Sequence, residues 1–322
     1  MKILLAKHSG FCVGVRRAVE TAFSMPPENT FVLGELIHNG EVVARLKGYG
    51  IVTVNDPDEV PRGANLLIRS HGVGKDVYRR CSERGLNVID CTCSFVQRTQ
   101  RIVEEASKQG KIVVIAGDKG HPEVKGLVGW CETECRVVSS PQEDFSFVEG
   151  KDVVLVAQTT FFEQTFCEIA ENLKKGAPKT VEIFKTICYT TVCRQEEAAR
   201  LAARCDAVLV VGGLNSGNTK RLSEIASEYC SRVYRVERAD GFEYEKINFL
   251  ERVGVIAGAS TPDWLTQEVL SKMAENKAEV QETTPVVEEV AEEVVSAEAS
   301  EEVAAPAEAP VEAPAEEEPK EE

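Results

Sequence analysis

The chain has 322 residues, with 37 Lys+Arg against 53 Asp+Glu, for a formal charge of −16. Sixteen Glu against two Lys place −14 of that charge in residues 276–322, so residues 1–275 carry only −2, which argues against an overall basic nucleic-acid binder. Eleven cysteines, an odd number, in a chain with no secretory-signal pattern argue against a disulfide scaffold and for reduced, cytoplasmic thiols. No apolar run approaches the length of a membrane span. The 275-residue body is long enough for two or three α/β modules with a large core.

In chain order, an apolar run over 2–6 leads through Ser9-Gly10-Phe11-Cys12 into a helical pattern over 13–22. Leu36-Ile37-His38-Asn39 and Arg69-Ser70-His71-Gly72 each end an apolar, strand-like segment with a histidine before a turn. Asp90-Cys91-Thr92-Cys93 precedes a helix predicted over 94–107. A strand over 111–116 runs into Gly117-Asp118-Lys119-Gly120-His121-Pro122-Glu123. Cys188 and Cys193 bracket Tyr189-Thr190-Thr191-Val192, ahead of a helix predicted over 196–204. A strand over 207–211 leads into Gly212-Gly213-Leu214-Asn215-Ser216-Gly217-Asn218 and an amphipathic helix over 219–230. The last strand, 253–257, ends in Gly258-Ala259-Ser260-Thr261-Pro262-Asp263.

Continuous apolar strands alternating with helices predict parallel sheets covered on both faces, with ligands bound at the loops beyond the strands' carboxyl ends. Spacing predicts three small α/β domains, 1–92, 93–187 and 188–275, with the first strand able to pair into the third. Residues 276–322 have no aromatic, five Pro and an Ala/Val/Glu/Pro vocabulary, which predicts a disordered tail. Val286, Val287, Val290, Val294 and Val295 fall near one helical face, the pattern of a transient docking helix.

Three loops place a cysteine near a helix start: Cys12, Cys91 or Cys93, and Cys188 or Cys193. The partial positive charge of a helix N-terminus favours thiolate, and three thiolates from three modules suit an iron–sulfur centre. There is no Cys-x-x-Cys pair, and Cys131 and Cys135 read as surface or packing residues. His38, His71 and His121 occupy equivalent loop settings and can donate to a phosphate, whereas His8 ends the first strand. Glu123 is a candidate proton donor if burial raises its pKa. The loops around Ser216 and Ser260 have the composition of an anion site or of simple helix caps. Neither matches a Walker loop or a Gly-x-Gly-x-x-Gly fingerprint.

Together these segments resemble the LytB/IspH family of 4-hydroxy-3-methylbut-2-enyl diphosphate reductases. The matching stretches include Gly10-Phe11-Cys12-Val13-Gly14-Val15, His38-Asn39, Ser70-His71-Gly72-Val73, Asp90-Cys91-Thr92-Cys93 and Gly120-His121-Pro122-Glu123. They continue with Gln158-Thr159-Thr160, Ile187-Cys188-Tyr189, Asn215-Ser216-Gly217-Asn218 and Gly258-Ala259-Ser260-Thr261-Pro262, in family order across residues 1 to about 275.

The resemblance implies three α/β domains around a central cavity holding one 4Fe–4S cluster per chain, with one iron left open to the substrate hydroxyl. By motif the ligands are Cys12, Cys93, preceded by Thr92, and Cys188 in Thr-Ile-Cys ahead of Arg-Gln. His38, His71, Ser216, Asn218 and Ser260 are assigned to the diphosphate. Glu123 is assigned to proton delivery, with His121 and Thr159 holding substrate or positioning the proton. Ser94 stands where the family commonly has Pro, and Gly217 where relatives often carry Ser, leaving only a backbone N–H there. The implied reaction is a two-electron reductive dehydroxylation giving isopentenyl and dimethylallyl diphosphates, the last step of the non-mevalonate isoprenoid pathway. Electrons would come from a carrier such as ferredoxin or flavodoxin, with no nucleic acid or membrane involved. Two other readings are an iron–sulfur protein of this fold that binds a partner through its acidic tail, and a zinc hydrolase built on His38, His71 and His121.

Overall fold

The computed structural model describes residues 1–278 and 287–289. The elements that carry the site are β1 (Lys2–Leu5), α1 (Val13–Ser24), β2 (Thr30–Leu33), α2 (Gly40–Tyr49), β3 (Val52–Val54), β4 (Asn65–Ile68), α3 (Lys75–Glu83) and β5 (Asn87–Asp90). There follow α4 (Ser94–Lys108), β6 (Ile112–Ala116), α5 (Pro122–Val128), β7 (Cys135–Val138), β8 (Asp152–Ala157), α6 (Glu163–Lys175) and β9 (Thr180–Ile183). The third set is α7 (Tyr189–Ala202), β10 (Ala207–Val211), α8 (Gly217–Tyr229), β11 (Val233–Val236), β12 (Arg252–Ala257), α9 (Asp263–Ala278) and β13 (Val287–Glu289).

The strands form three sheets, ordered β3-β2-β4-β5, β7-β6-β8-β9 and β11-β10-β12-β1-β13. Their pairings are parallel, as in β2 with β4, β6 with β8 and β10 with β12. The first strand of the chain, β1, pairs with β12 in register Ile3 to Val253 and so belongs to the third sheet.

Alternate residues explain why these runs are continuously apolar. Leu209 and Val211 enter one core, with Val255 and Leu265, while Val208 and Val210 enter another, with Leu222 and Ala198. Val114 and Ala116 likewise face Leu155 and Ile169, whereas Val113 and Ile115 face Val103 and Leu127. A strand covered on both faces has no polar side to present, which is the parallel α/β pattern.

The helices that follow Cys12, Cys93 and Cys188 each pack on the sheet of their own domain. Ala18 of α1 joins Val32 and Leu67, Val103 of α4 joins Val113, and Ala198 of α7 joins Val208. At the C-terminal end α9 runs through Ala278, past the expected boundary at 275, and Val287–Glu289 add a strand beside β1 instead of extending a helix. The rest of the tail reading lies outside the described residues. Among the described residues no helix is long and apolar enough to cross a membrane.

Candidate active site

Parallel sheets direct their carboxyl ends, and the N-termini of the following helices, toward the same edge. Here that edge is shared: Cys12, Cys93 and Cys188 are the N-cap residues of α1, α4 and α7, and His121 and Ser216 are those of α5 and α8. The helix after Cys188 begins at Tyr189, seven residues earlier than the sequence pattern predicts. The β-branched run Thr190-Thr191-Val192 disguises its first turn, and packing overrides that weak propensity.

One cavity gathers all eleven residues that the family resemblance assigns to the site. Cys12, Cys93 and Cys188 line one part, and His38, His71, His121, Glu123, Thr159, Ser216, Asn218 and Ser260 line the rest. The fourth histidine is elsewhere, its Nδ1 2.9 Å from Glu197 Oε2.

At the cysteine end, none of the three thiols satisfies its own helix terminus through a side-chain cap. All three are free. Burial pushes the Cys93 thiol up; the first-turn amides of Phe95 and Val96 oppose this, and the neighbouring Cys12 and Cys188 add to it. Three thiols held together without protons or metal to neutralise them are unfavourable, and a shared metal centre relieves that repulsion. Gly14 is required by this packing, because a Cβ there would lie 2.7 Å from Cys93 Sγ. The donor set therefore fits a thiolate-held iron–sulfur cluster.

The alternatives for the second and third thiols separate by burial. Cys91 is 2% exposed and packs with Ile37, Val42 and Leu67, and burial raises its thiol to about 11. Cys193 lies a turn into α7 and does not line the cavity.

Sequence reasoning assigned no role to Arg194, which is 4% exposed beside the cysteines. Its Nη1 donates to Ala257 O at 3.0 Å and its Nη2 to Gly10 O at 2.8 Å. Burial lowers its pKa, while negative charge at Cys12, Glu197 and Cys188 favours its protonated form. A buried guanidinium facing thiolates offsets their charge. The Arg-Gln pair of the Cys188 motif was the available signal.

At the histidine end, the His38 and His71 rings stack with centroids 4.2 Å apart, and His121 meets both edge-on. His38 Nε2, His71 Nδ1 and Asn218 Nδ2 are buried with no partner among the described residues. His38 Nδ1 faces Glu35 Oε2 at 3.2 Å, so its Nε2 donates only when the ring is protonated, and buried polar atoms without partners are costly unless a ligand pairs them. Burial holds His71 well below the usual imidazole range and lowers His121 to about 4, with His38 and Arg69 adding repulsion to both. Ser260 Oγ donates to His38 O at 3.0 Å, tying the first and third domains together at this wall. Ser216 Oγ accepts the Thr219 amide and so is partly committed to capping α8.

The three imidazoles have ligand atoms within 4.8 Å of one another, which is close enough for a metal ion. The hydrogen bonding favours an anion instead. His121 Nδ1 accepts the Glu123 amide at 3.2 Å, so the neutral ring carries its proton on Nε2 and offers a donor, not a lone pair. Arg69 adds positive charge nearby. The zinc-hydrolase reading loses its support here.

Glu123 is 2% exposed, and burial raises its pKa to about 7. Thr159 opposes that shift, donating its N–H to Oε1 at 2.6 Å and its Oγ1 to Oε2 at 2.7 Å. The cavity thus contains a carboxyl poised to hold or release a proton near neutrality.

A family model described as LytB protein matches residues 3–274. A 4-hydroxy-3-methylbut-2-enyl diphosphate reductase of Caldanaerobacter subterraneus subsp. tengcongensis is 40% identical over 285 residues, covering 87% of this chain and 99% of the relative. A Geobacter sulfurreducens protein of the same name is 43% identical over 278 residues, 85% of this chain and 98% of the relative. Among solved structures, the Plasmodium falciparum E-1-hydroxy-2-methyl-but-2-enyl-4-diphosphate reductase superposes with a TM-score of 0.78 at 25% identity, over 84% of this chain and 87% of that one. A structure described as (E)-4-hydroxy-3-methyl-but-2-enyl diphosphate reductase, the terminal enzyme of the non-mevalonate pathway, gives 0.62 at 36% identity over 85% of this chain and all of the other.

Proposed function

The chain belongs to the LytB protein family, and from that premise we propose that it is a 4-hydroxy-3-methylbut-2-enyl diphosphate reductase of the non-mevalonate isoprenoid pathway. The reaction takes the allylic alcohol, two electrons and two protons to isopentenyl or dimethylallyl diphosphate and one water. The observation that carries this reading is the joining, in one cavity, of three unpaired thiols to a set of unpartnered donors around a buried acid.

Cys12, Cys93 and Cys188 would hold one 4Fe–4S cluster, which supplies electrons and a Lewis-acidic iron for the substrate hydroxyl. His38, His71 and Asn218 have free hydrogen-bonding capacity for the diphosphate, and Ser216 and Ser260 flank them. Charge-assisted bonds to a phosphate satisfy buried donors that the protein leaves unpaired. As the anion arrives, its charge offsets the burial, and the added repulsion, that keep His71 and His121 neutral, so binding draws protons onto the imidazoles.

Departing hydroxide needs a proton, and Glu123, with a pKa of about 7, is half-charged with protons at neutral pH. Glu123 and Thr159 both line the cavity, and the Thr159 hydroxyl, bonded to Glu123 Oε2, can pass a proton on while accepting another from Glu123. His121 lines the same cavity with its Nδ1 taken by the Glu123 amide, which leaves Nε2–H available to hold substrate. The electron source would be a one-electron carrier of the ferredoxin or flavodoxin class, in a reducing cytoplasm.

The test is turnover of anaerobically reconstituted holoprotein with 4-hydroxy-3-methylbut-2-enyl diphosphate and reduced methyl viologen. Formation of the two five-carbon diphosphates supports the reading, and iron-loaded protein that leaves the substrate unchanged refutes it.

A further inference from the structure

Arg194 brings a full positive charge to the cysteine end of the cavity, and the protein around it offers that charge little to pair with. It lies in the second turn of α7, buried, and lines the cavity with Cys12, Cys93 and Cys188. Its Nη1 and Nη2 donate to the neutral carbonyls of Ala257 and Gly10. Its Nε is buried and has no partner among the described residues. Glu197, one turn on, is engaged elsewhere: its Oε1 accepts the Lys7 amide at 2.6 Å, and its Oε2 accepts the His8 amide at 2.8 Å and faces His8 Nδ1.

A buried guanidinium is costly unless negative charge and hydrogen-bond acceptors meet it. Burial opposes the charge of Arg194, and negative charge at Cys12, Glu197 and Cys188 favours it. The two carbonyl bonds also fix where the charge sits. Gly10 belongs to the loop that carries Cys12, Ala257 ends β12, and α7 itself begins at Cys188. The guanidinium is thus fastened to two of the three thiol-bearing segments, with one N–H left over.

We propose that Arg194 sets the reduction potential of the cysteine-held centre, raising it by favouring the electron-rich state. The inference rests on the reductase reading above and adds which side chain tunes the step in which electrons arrive. Each electron delivered to a metal centre on these thiols adds one negative charge there and breaks no bond to the protein. A fixed cation stabilises the more negative state more than the less negative one, so reduction becomes easier. Net charge and hydrogen bonds near the sulfurs are the protein's means of setting such potentials, and Arg194 supplies the first while its Nε–H is free for the second. Arg194 acts on the reaction through the centre, as a positioning residue.

The experiment is a dithionite titration of the anaerobically reconstituted holoprotein, followed by electron paramagnetic resonance, with calorimetry of inorganic pyrophosphate binding on the same samples. In Arg194→Gln the equilibrium constant for one-electron reduction should fall about tenfold or more, a drop of about 59 mV for each tenfold. Pyrophosphate affinity, which a general loosening of the fold would reduce, should hold. Arg194→Lys, which keeps the charge, should stay nearer to the wild type at neutral pH. If Arg194→Gln releases iron, Arg194→Lys decides. A buried ammonium can lose its proton where a guanidinium cannot, so the potential of that variant should fall below the wild type's as pH rises from about 7 to about 10. An unchanged potential in iron-loaded Arg194→Gln overturns the proposal. So does iron lost from both variants, which marks a packing role, or an Arg194→Lys potential that follows the wild type at every pH. Wild-type protein that takes up no cluster would instead refute the reductase reading.

Discussion

At one end of the cavity Cys12, Cys93 and Cys188 stand ahead of α1, α4 and α7; at the other, His121 and Ser216 stand ahead of α5 and α8. Both ends use helix N-termini, whose partial positive charge welcomes thiolates and phosphates alike. They differ in what surrounds those termini. Around the thiols lie Val15, Phe95 and Val96 with one buried guanidinium, whereas the imidazoles sit among hydroxyls and amides. The same backbone device becomes a metal-holding end or an anion-holding end according to its side chains. At the anion end the unpartnered atoms belong to His38, His71 and Asn218; at the cysteine end they are Arg194 Nε and Thr92 Oγ1.

Removing a thiol should break the contrast most completely. Cys12→Ser or Cys188→Ser is expected to abolish turnover and deplete iron, while leaving inorganic pyrophosphate binding measurable by calorimetry. Loss of pyrophosphate binding in folded protein would show that the two ends are not separable.

Next comes the acid between them. Glu123→Gln should lower turnover about 10²–10⁴-fold, the range for general acid–base groups. Substrate affinity should change little, because Thr159 can still bond the amide. At the anion end, His38→Ala or His71→Ala should weaken diphosphate binding by about 1.5–3 kcal/mol, the scale of a hydrogen bond to a charged group. Iron content should stay at the wild-type level. The same end should take up protons on binding pyrophosphate, because an imidazole held at about 4 in the free protein gains an anionic partner. Affinity should therefore be flat below about pH 4 and fall as pH rises above it, until the raised pKa of the bound imidazole is passed. Calorimetry in buffers of different ionisation enthalpy reads the proton count directly.

Glu123 also bears on stability. Its folded pKa of about 7 lies above the ordinary glutamate value of 4.5, so the protonated acid favours the fold. That contribution is full below about pH 4.5 and is lost as pH rises through about 7, by up to roughly 3 kcal/mol at high pH. The Glu123→Gln protein cannot titrate there. Its denaturation midpoint should gain on the wild type as pH rises from about 5 to about 8, and parallel profiles would contradict the burial argument.

Much of this was legible before the fold was known, because parallel α/β chains put chemistry in the loops after apolar strands. His38, His71, Glu123 and Ser260 could be read in that way. What was not legible depended on packing between distant segments. Arg194 is a charge held by the carbonyls of Gly10 and Ala257, far from it in sequence. Cys91 and Cys93 differ by a single intervening residue, yet one faces a core and the other the cavity. The start of α7 was hidden by β-branched residues whose propensity tertiary packing overrides. The tautomer of His121, which separates an anion site from a zinc site, depends on one amide that only the fold brings to its ring.

The central claim is that Cys12, Cys93 and Cys188 hold one iron–sulfur cluster at the end of this cavity. Anaerobic reconstitution followed by iron and acid-labile sulfide analysis tests it most directly, with Cys91→Ser and Cys93→Ser measured beside the wild type. The account predicts brown protein with about four irons and four sulfides per chain in the wild type and in Cys91→Ser, and depletion of both in Cys93→Ser. Colourless, iron-free wild-type protein, or iron lost from Cys91→Ser and retained in Cys93→Ser, would contradict it.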